Sequence, residues 1–571
     1  MTSFRARVLL IAMAASPLAA QAPRRDPDFG PNVRIVEPAT PSAAIQALLD
    51  SIFAEQESSE FGAGRHAVLF KPGRYDVDAR VGFYTHVAGL GMSPDDVVIN
   101  GGLRADARWR KGNATQNFWR AVENVTIVPA GGFNRWAVSQ AAPMRRVHIR
   151  GDLVLDDGGW SSGGFLADSR IDGQVRSGSQ QQWLTRNSTI GEWKGANWNM
   201  VFVGVRGAPA TSFPTPPYTT IDSAPVIREK PFLFVDARGA WKVFVPALRR
   251  ASSGTTWDAG APSGVARPLS DFVIATPSTS TAAMNAALAR GKGLVVTPGI
   301  YHLEAPLRVT RANTVLLGLG LATLVAERGS AAIEVADVDG VTLAGLLIEA
   351  GPVESPLLVR VGTPGRSKRR HAQNPALLSD LFVRIGGAGM GKAARSVEID
   401  SHDVIGDHLW LWRADHGNGV GWTSNTAAHG LVVNGAGVTM YGLFVEHYQR
   451  DEVVWNGNAG RTYMLQNEMP YDVPSQGEWM DGPVRGYAAY RVADSVTDHE
   501  GWGFGSYCFF NRHPDVVSDR AFQVPVSPGV RLRDMVTVSL GGGRGAIAHV
   551  VNATGPAAEK GATVQKVVSG P

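Results

Sequence analysis

Two glutamates carry the most specific chemical signal in the chain. Glu446 and Glu468 stand 22 residues apart in GLFVEHYQRDEVVWNGNAGRTYMLQNEMPYD, a spacing close to one turn of a coiled β-structure. In a parallel solenoid this places both on one face, one rung apart, with backbones about 4.8 Å from each other. Two carboxylates that close cannot both ionise freely, so one pKa should rise. A raised carboxyl is what a general acid working near neutrality requires. The bland reading is that both are solvated positions on an exposed sheet face. Trp455, Tyr463, Tyr471 and Trp479 share the segment. Such rings either offer flat faces to pyranose sugars or fill a solenoid core, and their presence alone does not choose.

Other constellations are weaker. His408, Asp415 and His416, with Asp407 nearby, have no recognisable metal-ligand spacing and read as hydrogen bonding at corners. Glycine-rich phosphate loops, nucleophile elbows and CxxC pairs are all missing from the sequence, so no metal or cofactor is expected.

The elements that must position the glutamates announce themselves by repetition. VRIVEPATPSAAIQALL leading to AVLFKPGRYDV, from Val33, is answered by FVIATPSTSTAAMNAAL leading to GLVVTPGIYHL, from Phe272. Each copy predicts a strand, a turn able to cap a helix, one small-residue helix, and a strand broken by Pro-Gly before Tyr75 or Tyr301. Short β-branched runs follow at intervals of about twenty residues, the spacing of solenoid coils. VENVTIVP and MRRVHIRG belong to the first half; VDGVTLAGLLIE, SDLFVRIGG and GVTMYGLFVEH belong to the second. Stacked parallel strands fit better than an antiparallel sandwich, whose two-residue hairpin turns are scarce here. The Ser/Gly/Pro-rich stretch Arg249–Pro268 reads as the junction.

Composition agrees. At 571 residues, with 66 Gly, 34 Pro and 19% charged residues, the chain is turn-rich and large enough for two cores. A net charge of +4, with scattered basic residues, argues against nucleic acid; the run Arg366–Arg370 reads as a solvated loop. Arg5 and Arg7, the apolar stretch Val8–Ala15 and Ala20-Gln21-Ala22 predict a secretory signal peptide. No later run is long enough for a membrane span. Cys508 is the only cysteine, so stability must come from the core and not from bridges.

The segments NATQNFWR, WAVSQAAPMRRVHI, SGSQQQW, WLWRADHGNGVGW and LFVEHYQRDEVVWNGNAGRTYMLQNEMPYD resemble glycoside hydrolase family 55, along most of the chain. That resemblance implies tandem parallel β-helices and exo-acting cleavage of β-1,3-glucan with inversion. It also implies Glu468 as the acid, Glu446 as its supporting carboxylate, and Gln140 in the polar network around the attacking water. Trp160 falls where the family often has Tyr, and its N–H cannot accept a proton, which puts that relay position in doubt. A glutamate one rung from the acid is too near to be the base, because inverting enzymes hold acid and base about 6.5–9.5 Å apart. Gln180, Gln181 and Gln182 either hold sugar hydroxyls or form a ladder between coils.

The sequence therefore predicts an all-β protein of two tandem right-handed parallel β-helices, pectin-lyase-like in form. The expected divisions are a signal peptide at 1–22 and helices at 23–268 and 269–571. The expected function is a secreted or periplasmic, monomeric exo-β-1,3-glucanase acting on laminarin-like glucan, with no nucleic-acid partner and no membrane attachment. Substrate contacts are expected from Gln180, Gln182, Trp160, Trp422, Trp455 and Tyr471. A polysaccharide lyase or a non-catalytic glycan-binding solenoid would use the same scaffold, since fold alone does not fix function.

Overall fold

The computed structural model describes residues 26–365 and 369–571. The expected signal peptide and residues 366–368 of the basic run lie outside the described residues. Both halves open as their repeated sequences demand. Strand Val33–Val36, helix Ser42–Gln56 and strand His66–Phe70 are matched by strand Phe272–Ala275, helix Thr281–Ala289 and strand Gly293–Val296. The second helix is capped as expected, Ser280 Oγ accepting the Ala283 amide at 3.2 Å. Pro41 precedes the first helix without a side-chain cap. The paired tyrosines tie each Pro-Gly turn to its coil, Tyr75 donating to the Lys71 carbonyl at 2.6 Å and Tyr301 to the Ala275 carbonyl at 2.7 Å.

From these openings the chain coils into two parallel β-helices. One parallel sheet of the first runs through nine strands from Val33–Val36 to Tyr218–Ile221. The matching sheet of the second runs from Phe272–Ala275 to Gly529–Ser539, where Val564–Gly570 closes it antiparallel. A separate eight-stranded sheet forms another face of the second helix. Val, Leu and Ile at alternate strand positions fill each interior. Coil length departs from the expected twenty residues in the second helix. Register partners lie 34 apart at Trp412 and Glu446, 22 at Glu446 and Glu468, and 39 at Glu468 and Tyr507. The extra residues are spent in the turns.

The junction is more ordered than its composition implied. Gly264–Pro268 pairs antiparallel with Trp241–Pro246, which pairs with Phe232–Val235, and Arg249–Ser252 pairs with Ala224–Ile227. Among the described residues no helix is long and apolar enough to cross a membrane.

The two helices lie side by side along a seam of two kinds. Outward residues of the first, among them Phe118, Trp119, Phe165 and Leu184, pack on Phe382, Trp410, Trp412 and Phe444 of the second. Beside this apolar patch runs a chain of buried charges. Arg145 forks onto Asp380 with two bonds of 2.8 Å and reaches Asp407 at 2.7 Å. Arg186 binds Asp407 at 2.8 and 2.9 Å and Glu229 at 2.7 Å through both oxygens. Lys230 lies 3.0 Å from Asp380 and also contacts Glu123. Removing one partner of such a set strands the others in a medium that cannot solvate them. Asp407→Ala is expected to cost about 3–5 kcal/mol of stability. Calorimetric unfolding checks this, and an unaltered transition would show that the seam does not hold the halves together.

Candidate active site

Strand polarity sets the site. In Ile405–Arg413, Thr439–Glu446 and Gly460–Glu468 the odd positions Leu409, Leu411, Leu443, Val445 and Leu465 enter the core. The even ones, Trp410, Trp412, Phe444, Glu446, Gln466 and Glu468, therefore face the first helix. Glu446 and Glu468 are register partners, as their spacing predicted. His447 then takes a left-handed φ of 68°, which ends the strand; a non-glycine residue held there stores local strain.

Facing this pair are two residues of the first helix, Gln140 and Ser162, also 22 apart. Each meets its partner across 306 residues of chain. The matched coils enclose a cavity of about 210 Å³, whose walls include Thr115, Gln116, Gln181, Trp410, Trp412, Asp415, His416, His447 and Tyr471. Gly163 lets the chain pass close beneath, because a Cβ there would lie 2.2 Å from Gln466 Oε1.

Glu446 is the more deeply buried of the two carboxyls lining the cavity. Its oxygens accept the Gln140 amide and the Trp410 indole N–H, both at 2.8 Å, and only 2% of the residue is exposed. Glu468 is the more open, accepting the Tyr471 hydroxyl on Oε2 and the Ser162 hydroxyl at 3.4 Å on Oε1. His447 Nε2 sits 3.9 Å from Glu468 and 3.7 Å from Asp415. His416, also in the wall, is clasped between Asp415 at 2.8 Å and Glu60 of the first helix at 2.7 Å, with the Gln116 amide 3.0 Å away.

The electrostatics follow from burial. Desolvation and the neighbouring Glu468 push Glu446 well above the usual carboxyl range, the Trp410 bond pulling only partly back. Burial also raises Glu468, and ionised Asp415 adds to the rise, while His447 and Tyr471 oppose it. Asp415 itself is held at about 2, because bonding to His416 and the two histidine charges outweigh its burial. His416 goes the other way, its two carboxylates overcoming desolvation to hold it at about 10. The cavity thus presents a protonatable Glu468 beside a fixed Asp415–imidazolium pair. Such an arrangement can deliver a proton to a leaving oxygen while polar groups hold hydroxyls around it.

The structure brings together Glu468, Glu446, Gln140 and Tyr471, and separates the other residues expected at the site. Gln180 is spent in the core, donating to the carbonyls of Val138 and Leu155 and accepting the Gly163 amide, each at 2.9 Å. Gln182 bridges the helices through the Leu465 and Gly503 carbonyls and the Tyr507 hydroxyl. Their neighbour Gln181 lines the cavity instead. Trp455 is fully buried, its N–H on the Gly457 carbonyl and its ring stacked on Tyr490. Trp160 stands 63% exposed and is not among the residues of the cavity wall. Trp422 lines a different hollow, on the flank of the second helix. His408 bonds Asp380 in the seam, and Asp415 and His416 do bond each other as corner residues, but within the cavity wall. Ser162, Trp410, Trp412, His447, Glu60 and Gln116 were not singled out. Ser162 did leave a signal, 22 residues after Gln140 as Glu468 is after Glu446, and Gln116, Trp410, Trp412 and His447 lie within the segments that carry the family resemblance.

Known proteins resemble this chain closely. Residues 272–468 match the family model of the LAM55 pectate lyase-like domain. An exo-beta-1,3-glucanase of Streptomyces sp. (strain SirexAA-E / ActE) is 52% identical over 559 residues, covering 97% of this chain and 92% of that protein. The structure of sacteLam55A from Streptomyces sp. SirexAA-E superposes with a TM-score of 0.94 at 52% identity, covering 95% of this chain and 99% of the other. A variant of sacteLam55A in complex with glucose matches equally, at TM-score 0.94 and 52% identity, over 96% of this chain and 99% of that one. Identity at this level over nearly the whole of both chains settles the family: this protein is a glycoside hydrolase and belongs to glycoside hydrolase family 55.

Proposed function

We propose that the protein is an exported, monomeric exo-β-1,3-glucanase that cleaves laminarin-like glucan from the non-reducing end with inversion, Glu468 acting as the acid. The observation that carries this reading is the register pair itself. Both carboxyls line the cavity, but Glu446 is 2% exposed with its oxygens taken by Gln140 and Trp410, so the more open Glu468 is the better placed to meet a glycosidic oxygen. The named activity of the Streptomyces relative supports the linkage and the exo mode.

In the proposed step a terminal glucosyl unit enters between the matched coils. Glu468 gives its proton to the leaving oxygen while water attacks the opposite face of the ring. Gln140 and Ser162 stand on the first-helix wall, where such a water would be held, 3.4 Å from one another. Asp415 is too weak a base to share the proton work at neutrality and serves as an acceptor for sugar hydroxyls. A lyase would require Lys or Arg beside a uronate, and neither type is among the residues lining this cavity.

Glucose is expected as the first small product from laminarin, released as the α-anomer. Chromatography and proton NMR in the first minutes check both points. Early oligosaccharide ladders would refute the exo mode, and an initial β-anomer would make Asp415 a nucleophile. Glu468→Gln is expected to lower kcat about 10²–10⁴-fold on glucan, with a smaller loss on an activated aryl β-glucoside that needs little protonation. Undiminished activity on glucan would remove Glu468 from the chemistry. Asp415 keeps the proton on Glu468, so Asp415→Asn is expected to let it ionise at lower pH. The alkaline limb of the kcat/KM profile then moves to lower pH, whereas Glu446→Gln, replacing a carboxyl already held neutral, leaves that limb in place. A displaced limb in Glu446→Gln and a fixed one in Asp415→Asn would reverse these roles.

A further inference from the structure

On the flank of the second helix lies a second hollow, of about 300 Å³, that shares no residue with the catalytic cavity. Its walls come from the same turn in successive coils. Glu354, Ala394, Ala428, Arg450 and Tyr487 lie shortly before Val359–Val361, Arg395–Ile399, His429–Val433, Val453–Trp455 and Tyr490–Val492, five adjacent strands of the eight-stranded sheet. Four steps between such strands amount to roughly 19 Å, so the hollow is a trough along the helix axis.

Its chemistry is that of a polyol site. Half-buried Trp422 forms part of the wall, backed by the Arg413 guanidinium 5.7 Å from its ring centroid. Tyr487 forms another part, its hydroxyl fixed by donating to the Met480 carbonyl at 2.6 Å and its ring covered by Arg450. Between the rings, Glu354, Glu478 and Thr426 line the trough, and among the described residues none bonds their side-chain oxygens. Two open carboxylates against one guanidinium disfavour a polyanion, while fixed aromatic faces with spare acceptors favour a neutral, hydroxyl-rich chain.

The trough also adjoins the catalytic loop. Arg413, behind Trp422, grips Asp472 at 2.7 and 2.9 Å and bonds the His447 carbonyl at 3.2 Å. The segment from Arg413 to Ala428 forms a partition, with Asp415 and His416 facing one hollow and Trp422 the other. We infer that the trough is a second binding site for β-1,3-glucan, holding a length of polymer on the flank of the helix beside the pocket that cuts it. This rests on the β-1,3-glucan reading of the catalytic site.

The test uses the full chain carrying Glu468→Gln, so that polymer survives, run on native gels with and without laminarin. Added Tyr487→Ala is expected to weaken laminarin retardation by about fivefold or more, the size of one or two lost contacts. Paired Glu354→Lys and Glu478→Lys, on exposed side chains that carry no fold contacts, should do the same with unchanged thermal unfolding. Equal retardation of the parent and the paired-lysine variant overturns the inference, as does retardation by polygalacturonate in place of laminarin. Wild-type protein releasing no sugar from laminarin would instead refute the catalytic reading, whereas an active wild type with unaltered trough variants refutes the trough alone.

Discussion

The buried charges between the two helices constrain everything else in the molecule. Arg145, Arg186 and Lys230 are satisfied only when Asp380, Asp407, Glu229 and Glu123 meet them at hydrogen-bond distance. Apolar patches tolerate sliding, whereas a forked guanidinium–carboxylate contact does not. The seam therefore fixes both the distance and the axial register of the helices. Because the step from Glu446 to Glu468 and the step from Gln140 to Ser162 are both 22 residues, that one register sets Gln140 opposite Glu446 and Ser162 opposite Glu468 together.

From that register comes the chemistry. A carboxyl on an isolated β-helix would be solvated and ordinary. Closing the first helix over it removes water, and desolvation is the largest influence on both glutamates. The same closure brings Glu60 to His416, where it joins Asp415 in holding a corner histidine as a cation. Acid strength at this site is a property of docking more than of the second helix alone.

How much of this the sequence disclosed depends on periodicity. Strand alternation and the 22-residue interval are local, so the coil-adjacent glutamates and the twin openings at Val33 and Phe272 were legible. Side-chain destination across the seam is not local. Three successive glutamines show the limit: Gln180 bonds inside its own helix, Gln181 faces the cavity, and Gln182 reaches across to Leu465. Trp455 and Trp422 were both expected at the substrate, yet one is core and the other wall, because strand position decides and residue type does not. His447 carried no spacing signal, since it matters only through a partner brought to it by a turn, and the 22-residue step from Gln140 to Ser162 gains meaning only once docking sets it against Glu468.

A centre assembled from contacts 306 residues apart also dictates when catalysis can begin during the life of a chain. Synthesis delivers Gln140 and Ser162 long before Glu446 exists, and the cavity wall is not complete until Leu540 has been added. Pairings of such high contact order form late and slowly. A chain that ends before Leu540 lacks part of that wall, however well its first helix has coiled. The cavity is whole only when nearly the full polypeptide has been made and the halves have closed on each other.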